Sequence, residues 1–144
     1  MTHSIAIALG SNLGDRNHNL HRAIHELRGC MRVVRVSAIH ETAPVDAPAG
    51  SPPFLNAVVA GFTSLAPYAL LDCLNDIERR LGRRRGIRNA PRTIDLDLIL
   101  YSARVMRSER LTIPHPRYLG REFVRGPLRE LRLAWRDPLT GAAL

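Results

Sequence analysis

Residues 94–101 read Ile94-Asp95-Leu96-Asp97-Leu98-Ile99-Leu100-Tyr101. Eight residues rich in branched apolar side chains suit a β-strand better than a helix. Alternation along the strand would turn Ile94, Leu96, Leu98 and Leu100 to one face and both aspartates to the other. Upstream lies a glycine- and arginine-rich loop, Gly82 to Thr93, preceded by Leu70, Leu71, Leu74, Ile77 and Leu81 at helical spacing from about Ala66. Pro67 suits the first turn of that helix and Gly82 its end. A strand, Leu55 to Phe62, comes before it. Ahead of that strand stands a long loop, Ala43 to Pro53, which carries Pro44, Pro48, Pro52, Pro53 and Gly50. Met31 to His40 reads as a further strand. Earlier still, Asp15 can cap a helix marked by Leu20, Ile24 and Leu27 and closed by Gly29. The chain opens with a strand, Ser4 to Leu9, in which Ile5, Ile7 and Leu9 alternate with small residues before a Gly10-Ser11-Asn12-Leu13-Gly14 turn. The order β-α-β-β-α-β predicts an α+β ferredoxin-like sandwich. Extra C-terminal elements follow: a short apolar piece at Leu111 to Ile113, a turn through Pro114 and Pro116, and a helix from Phe123 to Leu131.

At 144 residues with 45% apolar and 24% charged content, residues 1–144 are expected to form one domain with a substantial core. No apolar run approaches the length of a membrane span, and Met1 to Leu9 lacks a signal-peptide pattern, so a cytoplasmic chain without a membrane partner is expected. Cys30 and Cys73 show no C-x-x-C or Cys/His spacing, which predicts two reduced thiols. The formal charge of +8 calls for an anionic partner. All 21 basic residues are arginine, which removes any Schiff-base lysine, Walker A lysine or kinase-type ATP lysine.

Two aspartates one residue apart on a strand face put their Cα atoms about 6.6 Å apart, within reach of the same one or two cations. Magnesium fits this pair, because it takes one or two carboxylates and completes its shell with water and phosphate oxygens. A solvated polar face would give the same two-residue pattern. The preceding segment favours the metal: Arg79, Arg80, Arg83, Arg84, Arg85, Arg88 and Arg92 fill seven of the fourteen positions from 79 to 92. Guanidinium forks beside a magnesium site suit a polyphosphate.

The run Arg88-Asn89-Ala90-Pro91-Arg92-Thr93-Ile94-Asp95-Leu96-Asp97 closely resembles the signature of the 6-hydroxymethyl-7,8-dihydropterin pyrophosphokinase family of folate biosynthesis. Further blocks agree in order: Ala8 to Asp15, Glu41 to Val45, Phe54 to Val58, and Arg110 to Pro116 followed by Arg121 and Phe123. The resemblance covers residues 4 to about 131. It implies transfer of pyrophosphate from ATP to the hydroxymethyl group of the reduced pterin, with release of AMP. It also implies two magnesium ions on Asp95 and Asp97, and catalytic phosphate contacts from Arg83 and Arg92. Nucleotide-site positions implied in the same way are Asn75, Glu78, Arg85, Arg88, Leu98, Arg110, Thr112, His115 and Arg121. For the pterin the resemblance implies Thr42, Ala43, Val45, Phe54, Asn56 and Phe123, with the two rings stacking on the bicycle and Thr42 and Asn56 bonding its polar edge.

The chain departs from the family pattern at Asn89, where a tryptophan is common, and at Ala90, where a glycine is common. Pro116 replaces an aromatic residue of some members, and Asn75 a glutamine. A monomer acting on two small molecules is expected. The rival class is a small RNA-binding domain on the same frame. It is disfavoured by 5% aromatic content, by the lack of an RNP-type block, and by two aspartates on the sheet face. A magnesium- and ATP-dependent enzyme with another acceptor is the second alternative.

Overall fold

The computed structural model describes residues 1–43, 49–82 and 93–144. The elements are β1 (His3–Ser11), α1 (Arg16–Leu27), β2 (Arg32–Val36), β3 (His40–Thr42), β4 (Phe54–Thr63), α2 (Pro67–Arg80), β5 (Asp95–Tyr101), β6 (Met106–Arg107) and β7 (Thr112–Ile113). A 3₁₀ turn at Tyr118–Gly120 and α3 (Glu122–Glu130) follow. The main sheet runs β2-β4-β1-β5, with β3 also paired to β4 and every pairing antiparallel. The fold is α+β. Among the described residues no helix is long and apolar enough to cross a membrane.

Local chemistry explains the helices. Gly14 takes φ +72, a conformation few side-chain-bearing residues accept, and turns the chain so that the Asp15 carboxylate accepts the His18 N–H at 3.1 Å. Pro67 begins α2, whose Leu70, Leu74 and Ile77 are fully buried on one stripe.

Each face of the sheet has its own core. Ile5, Ile7 and Leu9 of β1 and Ile94, Leu96 and Leu98 pack under α1 and α2, against Leu20, Leu27, Leu70, Leu74 and Ile77. On the opposite face Ala6, Val58, Ala60, Ile99 and Leu100 meet Val124 and Leu128 of α3 together with Tyr118 and Leu131. An RNA-binding sheet needs an open face, and α3 covers much of this one.

Three sequence expectations are corrected. Met31 to His40 is two strands, because Val36 pairs with Val59 while His40 pairs with Asn56. Residues 37–39 therefore oppose only residues 57 and 58, and the ladder slips by one. The Ser37 hydroxyl accepts the Val58 N–H there at 2.9 Å. Alternation along β5 breaks at Ile99, since Leu98 pairs with Ile7 and Leu100 with Ala6. Leu100 consequently lies on the α3 face instead of continuing the stripe of Ile94, Leu96 and Leu98. Cys30 and Cys73 are joined in a disulfide, with Cα atoms 6.1 Å apart. Packing of α1 beside α2 brings together two cysteines separated by 43 residues.

Candidate active site

The site is built on β1. Gly10 stands opposite Asn56 on one side and Asp95 on the other, and Ala8 stands opposite Val58 and Asp97. Directly paired residues share a face of the sheet. Gly10 and Ala8 therefore form a low floor between the two carboxylates of β5 and the polar and aromatic groups of β4. A Cβ on Gly10 would come within 3.2 Å of both Asn56 Oδ1 and a Phe54 ring carbon, so the glycine allows those side chains to close over the floor. Thr42, paired with Phe54 across β3 and β4, extends the same wall.

Asp95, Asp97, Thr42, Ala43, Phe54, Asn56, Arg121 and Phe123 all line one cavity over this floor, with Ile99 and Val124 behind them. Asn56 is buried and its amide donates to the Thr42 hydroxyl at 2.5 Å, which fixes the amide plane. The start of α3 brings Phe123 to the opposite wall, and the Arg121 guanidinium lies 5.4 Å from the centre of its ring. The cavity thus brings two carboxylates on the β5 side together with a hydrogen-bonding amide and a ring on the β4 side, with Phe123 and the Arg121 guanidinium over it on the further wall. Such a site can hold a flat heterocycle and place one of its substituents beside a metal ion.

The other candidates do not line this cavity. His115 is anchored by its backbone N–H on the Ile99 carbonyl at 3.0 Å, next to the aspartate strand. Its Nδ1 accepts the Arg117 N–H at 3.2 Å, which leaves Nε2 to carry the proton. Burial, followed by the charges of Arg121 and Arg117 and opposed by Asp95, lowers its pKa to about 4. A neutral donor is the result. Arg110 pairs with Asp72 and lies 5.0 Å over the Tyr68 ring, while Thr112 follows on β7. Asn75 and Glu78 are on α2; Glu78 is buried, and its carboxylate accepts the Leu96 N–H at 2.9 Å from between the two aspartates. The Leu98 side chain belongs to the core beneath the helices, so only its backbone could meet a ligand. Val45, Arg83, Arg85, Arg88 and Arg92 lie outside the described residues.

Sequence reading passed over Ala8, Gly10, Ile99 and Val124 as lining residues. Small residues alternating with Ile5, Ile7 and Leu9 in the first strand were the available signal for the floor, but their meaning depends on which strands flank it.

Asp95 and Asp97 are the only two carboxylates lining this cavity among the described residues. No cluster of three or more His, Cys, Asp or Glu side chains suited to a metal occurs among the described residues. Two half-buried hard oxygen donors lining a cavity fit magnesium, whereas structural zinc or calcium would draw on more protein ligands.

Comparison with known proteins shows the family. A family model described as 7,8-dihydro-6-hydroxymethylpterin-pyrophosphokinase (HPPK) matches residues 6–133. The 2-amino-4-hydroxy-6-hydroxymethyldihydropteridine pyrophosphokinase of Bacillus subtilis is 44% identical over 127 residues, covering 87% of this chain and 75% of that protein. The protein of the same name from Pseudomonas aeruginosa is 38% identical, covering 91% of this chain and 82% of that protein. A mitochondrial folate synthesis bifunctional protein of Arabidopsis thaliana is 46% identical over 90% of this chain. The chain spans only 23% of that protein's length. Among solved structures, the wild-type Plasmodium falciparum HPPK-DHPS with pterin and p-hydroxybenzoate superposes with a TM-score of 0.76 at 13% identity. That match covers 99% of this chain and 40% of the other, and speaks to the fold alone. With residues 6–133 matched and relatives of comparable length at 38–44% identity, the chain belongs to the 7,8-dihydro-6-hydroxymethylpterin-pyrophosphokinase family.

Proposed function

We propose that residues 1–144 act as one pyrophosphokinase domain that transfers the β,γ-pyrophosphate of ATP to the hydroxymethyl oxygen of 6-hydroxymethyl-7,8-dihydropterin and releases AMP. The observation that carries this reading is the shared cavity, in which Asp95 and Asp97 face Phe54, Asn56, Thr42 and Phe123 across a floor of Gly10 and Ala8. The frame is proposed to be a ferredoxin-like sandwich with added C-terminal elements. The antiparallel order β2-β4-β1-β5, with α1 and α2 on one face, supports it.

The pterin is placed between Phe54 and Phe123, where offset stacking contributes about 0.5 to 1.5 kcal/mol per ring pair beyond area burial. Asn56, held by Thr42, bonds its polar edge and discriminates against heterocycles that lack the matching donors and acceptors. This orientation directs the hydroxymethyl group toward Asp95 and Asp97. Attack of its oxygen on the β-phosphorus breaks the bond to the bridging oxygen of the α-phosphate, which leaves with AMP. Asp95 and Asp97 would hold magnesium, in our reading two ions, which neutralises the polyphosphate and lowers the pKa of the attacking hydroxyl. Arg121 lies at the cavity wall and His115 beside it, both as donors to phosphate oxygens. Arg83 and Arg92 are assigned the remaining phosphate contacts, with Arg85, Arg88, Arg110, Thr112, Asn75, Glu78 and the Leu98 backbone around the nucleotide; sequence agreement with the family supports these positions.

Replacing either carboxylate by its isosteric amide tests the metal role. Asp95→Asn and Asp97→Asn are each expected to reduce turnover by about a hundred- to a thousandfold, on the scale of losing a key electrostatic group, with circular dichroism and melting temperature unchanged. Near-wild-type turnover in either variant would remove the carboxylates from the mechanism.

A further inference from the structure

Arg16 is the first residue of α1, where the helix dipole disfavours a cation; the neighbouring Asp15 cap offsets this only in part, and no acidic residue stands in the first turn itself. Its position calls for another explanation. The guanidinium leaves the helix and donates to the Pro53 carbonyl at 2.9 Å, with the Glu41 carboxylate 3.4 Å away. Asn12, fully buried at the end of β1, donates its amide to the neighbouring Pro52 carbonyl at 3.2 Å. Pro53 directly precedes Phe54, and Glu41 directly precedes Thr42. Proline supplies no N–H, so the Pro52–Pro53 step cannot be secured by backbone donation into the ladder. Donors from the opposite side hold its carbonyls instead.

We infer that Arg16, with Asn12 behind it, is a positioning residue for the heterocycle half of the site, fixing where Phe54 and Thr42 stand. This rests on the reading of that half as the pterin pocket. Arg16 does not line the cavity. Its loss should therefore blur the pterin pocket and leave the carboxylate and phosphate end intact.

Steady-state kinetics on the full chain, with KM for each substrate determined at saturation in the other, separates this role from a general one. Arg16→Ala is expected to raise the pterin KM about tenfold, the scale of one lost charge-assisted hydrogen bond. KM for ATP is expected to stay within about twofold and the melting temperature to change little, since removing a cation from the helix N-terminus offsets the loss of the Pro53 bond. Arg16→Lys, which retains one donor for the Pro53 carbonyl, should recover most of the pterin KM. A pterin KM within twofold of wild type in Arg16→Ala would overturn the inference. So would equal increases for both substrates, a lowered melting temperature with loss of kcat, or failure of the lysine variant to recover. Wild-type turnover of the pterin, measured in the same series, checks the underlying reading separately: its absence would reject the pterin pocket itself.

Discussion

His115 shows how a single side chain is set by its surroundings. Burial and two neighbouring guanidiniums hold its pKa near 4, well below the 6.5 of a free imidazole. Below pH 6.5 the unfolded chain takes up a proton that the native state declines until about pH 4, so this residue makes stability fall as the pH drops through that window. In the metal-free protein, denaturant titrations at pH 7 and pH 4.5 are expected to show a smaller loss for His115→Asn than for wild type. Equal losses would mean that the imidazole is free to charge in the fold. Its place in the sequence, between Pro114 and Pro116, gave no hint of this, because Arg121 and Asp95 reach it only through the folding of β5 and α3. Arg16 was equally silent. Its meaning lies in a carbonyl 37 positions away, while Asp95 and Asp97 were legible because their alternation is local.

Between elements, the decisive contact is α2 on β5. The buried Glu78 carboxylate bonds the Leu96 N–H and so secures the short span that separates the two aspartates. Glu78→Leu would leave that buried N–H without this acceptor, a cost of about 1 to 3 kcal/mol. Glu78→Gln keeps an acceptor oxygen and should lose less. Urea denaturation of both variants measures the difference, and equal stabilities would show that the Leu96 bond does not anchor the strand. Helices and strands were readable from periods of 3.6 and 2, since Leu70, Leu74 and Ile77 or Ile5, Ile7 and Leu9 repeat within a few residues. Register was not. The slip between Val36 and His40 and the extra residue at Ile99 arise from pairing with β4 and β1, which no local pattern encodes.

At the scale of the molecule, a sheet packed on both faces leaves one row open, at Gly10 and Ala8, and the cavity occupies that gap. The Cys30–Cys73 disulfide joins the turn after α1 to α2 on the far side of the sheet from this cavity. Cross-linking constrains chiefly the unfolded chain, and a spacing of 43 residues could not reveal the pairing because helix packing creates it. The order of the main elements was legible from local patterns, but of the eight candidate residues that line the cavity only Asp95 and Asp97 stood out by local alternation; the other six were singled out by resemblance to the family. The arginines from Arg83 to Arg92, read from composition as suited to a polyphosphate, lie outside the described residues. The most direct measurement is the nucleotide product of the purified chain with ATP, magnesium and 6-hydroxymethyl-7,8-dihydropterin. The expected result is AMP, formed in step with pterin pyrophosphate and absent when the pterin is omitted; ADP as the product, or equal ATP cleavage without the pterin, would contradict it.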